Sequence, residues 1–441
     1  MTRPQGFHHL DTTAPEHAWR VAITAEHRPE LDLSRVERLI VVAAHPDDET
    51  LMAGGLIAAA HRRGIVVDVI VATDGESSHP HSPTHGASDL VVLRRAEVAA
   101  ALRELAPTAT LHTLGLGDGQ LARSHDRLVA GIVRLIGVHG PTTLLVSTWR
   151  GDAHTDHEAA ARAAASAAWR TDARLLEAPI WLWHWGTPGQ ALPPGPVVSL
   201  SGETMHTKRR AMAEHHSQVE PLSEQPGDEA ILHPLVLAHF DRAVEVFFHG
   251  LPGETSPFDA LHTAQADPWQ VRSSAYEARK RALTMAALPH ATYGRVLELG
   301  CSVGALAADL AGRADRVLAM DESIAALRRA AVSLSGRDNV QLVQLQVPEG
   351  LGRIDAELVV ISEIGYFLSP GRLVRLADKL SSSGCRTVVA CHWRHRIRGW
   401  PLTGPSVHRI LQDRLGMPRR VTINDTHFVL DVFSHDEAVS P

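Results

Sequence analysis

Residues 39–51 read Leu-Ile-Val-Val-Ala-Ala-His-Pro-Asp-Asp-Glu-Thr-Leu, so that His45, Pro46, Asp47, Asp48 and Glu49 stand directly behind six apolar residues. An unbroken apolar run of that length suits a strand covered on both faces. The acids behind it open a helical pattern over 50–63 that Gly64 stops. Outward from this unit the same alternation continues, with strands expected at 66–73, 110–116 and 142–148 and helices at 94–105, 127–139 and 157–170. Strands separated by helices predict an α/β fold with a mostly parallel sheet, helices on both faces and function at the carboxyl ends of the strands. Trp181, Trp183 and Trp185 alternate and read as one further strand.

Residues 250–267 are rich in Gly, Pro and polar side chains without a sustained period, which reads as a linker. A second α/β pattern follows it: a helix at 274–288, a strand at 295–299, a helix at 305–311 and a strand at 316–320. Further strands are expected at 340–346, 357–362, 386–391 and 427–433. The chain therefore reads as two Rossmann-like domains, 1–250 and 267–441, joined by a linker at 251–266. Its 441 residues agree with that division at about 150 residues per domain.

The formal net charge of −7, with both signs mixed throughout, gives no basic stripe for a phosphate backbone and argues against nucleic acid as a partner. No apolar run approaches the roughly 20 residues of a membrane span, and 1–20 has no signal-peptide core, so a cytoplasmic protein is expected. Cys301, Cys385 and Cys391 have no paired metal spacing, which leaves histidine and carboxylates for any metal. The oligomeric state is not legible.

An imidazole and carboxylates in one turn at the end of a strand suit a divalent ion such as zinc, for which three protein ligands are normal. A third ligand must come from elsewhere. The cluster His154-Thr155-Asp156-His157 follows the strand at 142–148 and faces the same crevice. Such a set supports hydrolysis of an amide: a metal acidifies water and polarises a carbonyl, and a carboxylate takes the proton. Asp47 fits the base, His154 an oxyanion or leaving-group partner, and Asp156 the group that orients His154. Glu49 fits a helix-capping acid, and the loop with His79, His81 and His85 fits a mobile lid or plain surface rather than a metal tract.

These residues resemble the PIG-L/LmbE-like deacetylases, which remove acetyl groups from N-acetylglucosaminyl and related substrates. The likeness spans 38–250 and includes Thr73-Asp74-Gly75-Glu76, Arg94-Arg95-Ala96-Glu97, 115–121 (GLGDGQL), Lys208 and His216-Ser217-Gln218 in family order. It implies His45, Asp48 and His157 as zinc ligands, or ligands of another divalent metal, with Asp47 as base and His154 as oxyanion or acid residue. Arg94 or Arg95 would hold a sugar hydroxyl or phosphate. Thr155 replaces the proline common in the second motif, which removes no ligand.

In the second half, a strand runs through Glu298 into Gly300-Cys301-Ser302-Val303-Gly304 and a helix, and a second strand ends in Asp321 about twenty residues on. That order suits a nucleoside cofactor, the glycines admitting close approach and the acid binding ribose hydroxyls. Ser302 and Ala305 stand where a dinucleotide fingerprint has glycines, which favours S-adenosylmethionine. This half resembles class I methyltransferases related to the nodulation N-methyltransferases, through Asp267-Pro268-Trp269, 274–280 (SAYEARK), ELGCSVG, 362–368 (SEIGYFL), His392-Trp393-Arg394 and 401–404 (PLTG). The likeness implies a pocket lined by Glu298, Gly300, Cys301, Gly304 and Asp321. Glu363 could face an acceptor amine and His392 form part of its wall.

Together the halves predict a bifunctional enzyme: metal-dependent N-deacetylation of an N-acetylated amino sugar or glycoconjugate, then methylation, with the freed amine as acceptor. Two activities on unrelated substrates, or a carbohydrate-binding scaffold, are the alternatives.

Overall fold

A computed structural model describes residues 13–253 and 257–436. The polar lead-in at 1–12, the linker positions 254–256 and the end of the second domain at 437–441 lie outside the described residues. The chain divides into two compact units, Met1–Gly253 and Glu254–Pro441.

The first unit runs α1 Glu16–Ala25, β1 Arg38–Ala43, α2 Asp48–Arg62, β2 Val66–Val71, α3 Ala87–Leu105, β3 Thr110–Thr113, α4 His125–Ile136, β4 Thr143–Thr148, α5 Thr155–Thr171, β5 Arg174–Ala178, α6 Leu182–Trp185, β6 Val197–Ser199, α7 Gly202–Ala213, α8 His216–Val219, α9 Pro234–Leu237, β7 Val244–Val246 and β8 Phe248–His249. Its main sheet has the order β3-β2-β1-β4-β5-β8, with β1 to β5 parallel and β8 antiparallel at the edge. Side-chain alternation along β1 fills both faces: Leu39, Val41 and Ala43 join the core with Leu56 and Ile57 of α2, while Ile40 and Val42 join Leu128, Ile132 and Ala160 of α4 and α5. That two-sided burial is why the strand reads as continuously apolar.

The second unit runs α10 Pro257–Ala264, α11 Ala275–Ala287, β9 Tyr293–Leu299, α12 Ala305–Ala311, β10 Ala314–Asp321, α13 Ile324–Ser333, β11 Val340–Gln344, β12 Leu358–Ser362, α14 Pro370–Ser381, β13 Thr387–Trp393, α15 Gly404–Arg414, β14 Arg419–Asn424 and β15 Phe428–Ser434. Its sheet order is β11-β10-β9-β12-β13-β15-β14, parallel through β13, with β15 and β14 antiparallel. Both units are thus α/β with mostly parallel sheets and flanking helices. Among the described residues no helix is long and apolar enough to cross a membrane.

Two expectations are corrected. The tryptophan stripe is not a strand: Trp183 and Trp185 lie on the short helix α6, because the Asp152 carboxylate accepts the amides of Ile180, Trp181 and Leu182 and so nucleates a helical turn. The segment read as a linker contains α10. Its Asp259 accepts Ser323 Oγ at 2.8 Å and the Ala325 amide at 3.0 Å, tying it to the start of α13, and His262 is buried. With eight residues, α10 is too short to show a helical period above its Gly- and Pro-rich flanks.

Candidate active sites at the two switch points

In the first sheet the strand order reverses between β1 and β4, which opens a crevice outside their carboxyl ends. β1 delivers residues 45–49 to that crevice and β4 delivers 154–157. His45, His154 and His157 each present a ring nitrogen, all within 4.8 Å of one another. Asp48 lies among them, its Oδ2 3.5 Å from His45 Nδ1 and its Oδ1 3.3 Å from His157 Nε2. The Ala44 and His45 amides also donate to Asp48 Oδ2, at 2.9 Å each, which fixes the carboxylate. His157 Nδ1 donates to Asp152 Oδ2 at 2.7 Å, so Nε2 is the nitrogen that faces the crevice. Burial pushes His157 down, but the carboxylates of Asp48 and Asp152 outweigh it and lift the imidazole to about 9.

Asp47 sits in a strained backbone conformation at φ 142°. Its amide donates to Glu49 Oε2 at 3.1 Å, and Arg94 Nη2 donates to its Oδ2 at 3.0 Å and to the Pro46 carbonyl at 2.7 Å. Burial raises Asp47 to about 6 against the pull of Arg94. His154 is held down to about 3 by burial and by the charges of His157 and His45, and its buried Nδ1 has no hydrogen-bond partner among the described residues. A neutral imidazole, an orphaned ring nitrogen and a buried carboxylate thus converge on one crevice. One turn along α5 from His154, Glu158 lines a cavity of about 430 Å³ with Trp149, Arg150, Trp185 and Leu192.

In the second sheet the order reverses between β9 and β12. After β9 the turn has Gly300 at φ 79°, Ser302 at 49° and Gly304 at 82°. A Cβ on Gly300 would lie 2.1 Å from Ile364 Cγ2, so the turn accepts only glycine there and meets the residues that follow β12. Asp321, ending β10, accepts the Ser302 amide on Oδ2 and the Ser323 amide on Oδ1, both at 2.9 Å. Burial raises Asp321 to about 6. Burial, then the charges of Asp321 and Asp309, lifts Glu298 to about 8, and its buried Oε2 has no partner among the described residues. Glu363, at φ 62°, receives Lys280 Nζ on Oε1 at 2.6 Å, and the Tyr366 hydroxyl and the Trp393 amide on Oε2, the latter at 3.1 Å.

Residues 40–168 match the family model described as PIG-L, GlcNAc-PI de-N-acetylase, and residues 259–380 match that of nodulation protein S, NodS. The chain joins a PIG-L deacetylase domain to a NodS-like methyltransferase domain. It is 29% identical over 187 residues, 42% of this chain and 84% of the relative, to a Bacillus subtilis protein described as "Probable N-acetyl-alpha-D-glucosaminyl L-malate deacetylase 2". A solved structure described as "a putative Methyltransferase from Pseudomonas syringae" is 38% identical, covering 36% of this chain and 99% of that chain, with a TM-score of 0.33. The NodS N-methyltransferase of Bradyrhizobium japonicum, in complex with S-adenosyl-L-homocysteine, is 18% identical, covering 40% of this chain and 95% of that chain, with a TM-score of 0.37.

In the PIG-L domain several residue-level expectations change. Asp156 does not orient His154: it accepts the Gly119 amide at 2.8 Å and the Leu121 amide at 3.2 Å, and its Oδ2 stands 3.6 Å from His45 Nε2. Arg94 is buried and engaged with Asp47, Pro46 and Gly75, so it holds the Asp47 carboxylate rather than a sugar. Arg95 pairs with Asp74 at 2.7 Å. The His79 loop is pinned, with His79 Nε2 3.1 Å from the Glu229 carbonyl and Thr84 donating to Asp228 at 2.6 Å. Glu49 stands in the first turn of α2 as a helix-start acid, fully buried, and accepts the amide of Asp47, the residue before that helix.

Asp118 and Asp152 were not anticipated as site residues. Asp118 Oδ1 lies 3.1 Å from His45 Nε2, and the glycines on either side, Gly117 and Gly119, take φ of 84° and 75° to present it. That glycine pair was the available signal. In the NodS-like domain Cys301 is buried and only its backbone belongs to the turn, its amide donating to the Met320 carbonyl at 2.8 Å. His392 is wholly buried and cannot form an acceptor wall.

Proposed function

We propose that the PIG-L domain is a metal-dependent N-deacetylase of an N-acetylated amino sugar or glycoconjugate, and that the NodS-like domain methylates the amine so released. The observation that carries the first half is the convergence of His45, Asp48, His154 and His157 beside Asp47 at the switch point. The donor set, and the Asp152 bond that aims His157 Nε2 inward, fit a divalent ion such as zinc held by His45, Asp48 and His157. When bound, the ion lowers the pKa of water and polarises an amide carbonyl. Asp47, aimed by Arg94 and Glu49, takes the proton of the attacking water, and neutral His154 donates to the oxygen that gains charge in the tetrahedral state. The cavity under Trp149 and Trp185 has the size of a small-ligand pocket and suits the remainder of the glycoconjugate.

In the second half, Glu298, Gly300, Cys301, Gly304 and Asp321 would hold S-adenosylmethionine, and the orphaned Glu298 Oε2 and the glycine-only turn support that fit. The cofactor supplies a methyl group on a sulfonium. Glu363, about a quarter of whose side chain remains open, accepts an N–H of the acceptor and orients its lone pair. Methyl transfer then rests on alignment more than on acid or base help.

Amine release from an N-acetylglucosaminide, followed with an amine-reactive dye, tests the first reaction. Release that stops on chelation and returns with added zinc supports it, and equal release with and without chelator contradicts it.

A further inference from the structure

The NodS-like domain contains a buried chain of polar groups that its cofactor turn does not use. Asp431 on β15, His408 on α15, His392 on β13 and the Gly365 amide after β12 are linked end to end. The Gly365 amide lies 3.0 Å from His392 Nε2, His392 Nδ1 lies 3.0 Å from His408 Nε2, and His408 Nδ1 lies 2.7 Å from Asp431 Oδ2. Thr422 Oγ1 donates to the other Asp431 oxygen at 2.7 Å.

The proton positions follow from the first link. A backbone N–H can only donate, so His392 Nε2 must accept. The His392 proton then sits on Nδ1 and is donated to His408 Nε2, which leaves the His408 proton on Nδ1 to be donated to Asp431. Both rings are neutral and the charge of the chain rests on Asp431, whose Oδ2 also has Arg419 Nη1 at 3.8 Å. Protonating either ring would set two donors against each other inside the core. Burial pushes His392 well below its ordinary range, in line with a neutral ring at that position.

The chain ends where Glu363 is held. Gly365 precedes Tyr366 and His392 precedes Trp393, and the Tyr366 hydroxyl and Trp393 amide are the two donors to Glu363 Oε2. The approach is close enough to require glycine, since a Cβ on Gly365 would lie 2.5 Å from Val407 Cγ1 and 2.8 Å from His392 Nε2. On the other oxygen, buried Lys280 bridges Glu363 and Glu277.

We infer that His392, His408 and Asp431 form a proton-ordered strut of positioning residues that fixes the Tyr366 and Trp393 donors, and through them the Glu363 carboxylate beside the cofactor turn. This rests on the reading of Glu363 as the group that faces the acceptor. The three strut residues touch no substrate; they act by keeping Glu363 in one rotamer despite its strained backbone.

Two measurements on the full-length protein test the inference. Imidazole nitrogen NMR is expected to show the proton of each ring on Nδ1, with His392 neutral between about pH 6 and 8. Titration of His392 in that range, or a neutral ring of either residue with its proton on Nε2, overturns the strut. The second measurement compares His408→Leu with His408→Gln, whose amide can accept from His392 and donate to Asp431. His408→Leu should lower kcat for methyl transfer to an amino sugar by about tenfold or more while shifting the cofactor Kd by less than about threefold, and His408→Gln should recover most of kcat. Equal kcat in the two variants overturns the inference. If His408→Leu does not fold, the NMR result on the natural chain decides. If the natural chain methylates no amino sugar, the acceptor reading fails, and the NMR result still decides whether the strut exists.

Discussion

The residue that concentrates the most constraint is Asp47, held at a positive φ while its backbone N–H donates to the Glu49 carboxylate and its own carboxylate accepts from Arg94. Asp47→Asn should lower the deacetylation kcat by roughly 10²- to 10⁴-fold with metal content unchanged, as measured by turnover and metal analysis on the same preparation. Arg94→Ala should cost about ten- to a hundredfold by releasing that carboxylate from its aim. Asp152 acts one shell further out, on His157 Nδ1 and on three amides of the α6 turn. Asp152→Ala should therefore weaken metal affinity by about ten- to a hundredfold, read by competition with a chelating dye. In the second unit, burial holds Glu298 protonated to about 8. Its folded value is raised above the unfolded one, so the folded state binds more protons and stability falls as pH rises from the ordinary carboxylate range through about 8. Melting curves of the cofactor-free protein should show Glu298→Gln more stable than the natural chain near pH 9, and the gap should close near pH 5.

Among the elements, α10 carries a test of its own. Asp259 ties it to the first turn of α13, and Asp259→Ala should make residues 257–264 the first site of limited proteolysis. That helix was hidden in the sequence for the same reason that β1 and α5 were plain. A signal needs length or two-sided burial, which residues 39–44 and 157–170 have and the eight residues of α10 lack. The tryptophan stripe misled because alternation of three indoles describes side chains only. What bends 180–185 into a helix is Asp152, about thirty residues earlier, and no local pattern reports a long-range cap. The same limit applies to the sites. The convergence of His45, Asp48 and His157 was legible because each belongs to a compact motif at a strand end. Asp118 and the His392–His408–Asp431 chain were not, because their partners are distant in sequence and meet only through the sheet order. His392 illustrates the cost: its position after a strand suggested a pocket wall, and its burial makes it part of the support.

At the scale of the whole molecule, two units of similar architecture place their candidate sites at the same topological position, the carboxyl ends of the strands on either side of the order reversal. Each core should respond to its own ligand. A thermal scan should show one transition lowered by a chelator and another raised by S-adenosylmethionine, since binding to the folded state alone stabilises by mass action. The pairing of the two chemistries predicts that the amine released by one unit is the acceptor of the other. The direct measurement is a single incubation of the protein with an N-acetylglucosaminyl substrate, a divalent metal and methyl-labelled S-adenosylmethionine, resolved by mass spectrometry. Free amine is expected without the cofactor, labelled N-methyl amine with it, and no label when a chelator blocks deacetylation. Label on the still-acetylated sugar, or free amine that accumulates unlabelled in the presence of the cofactor, would contradict that prediction.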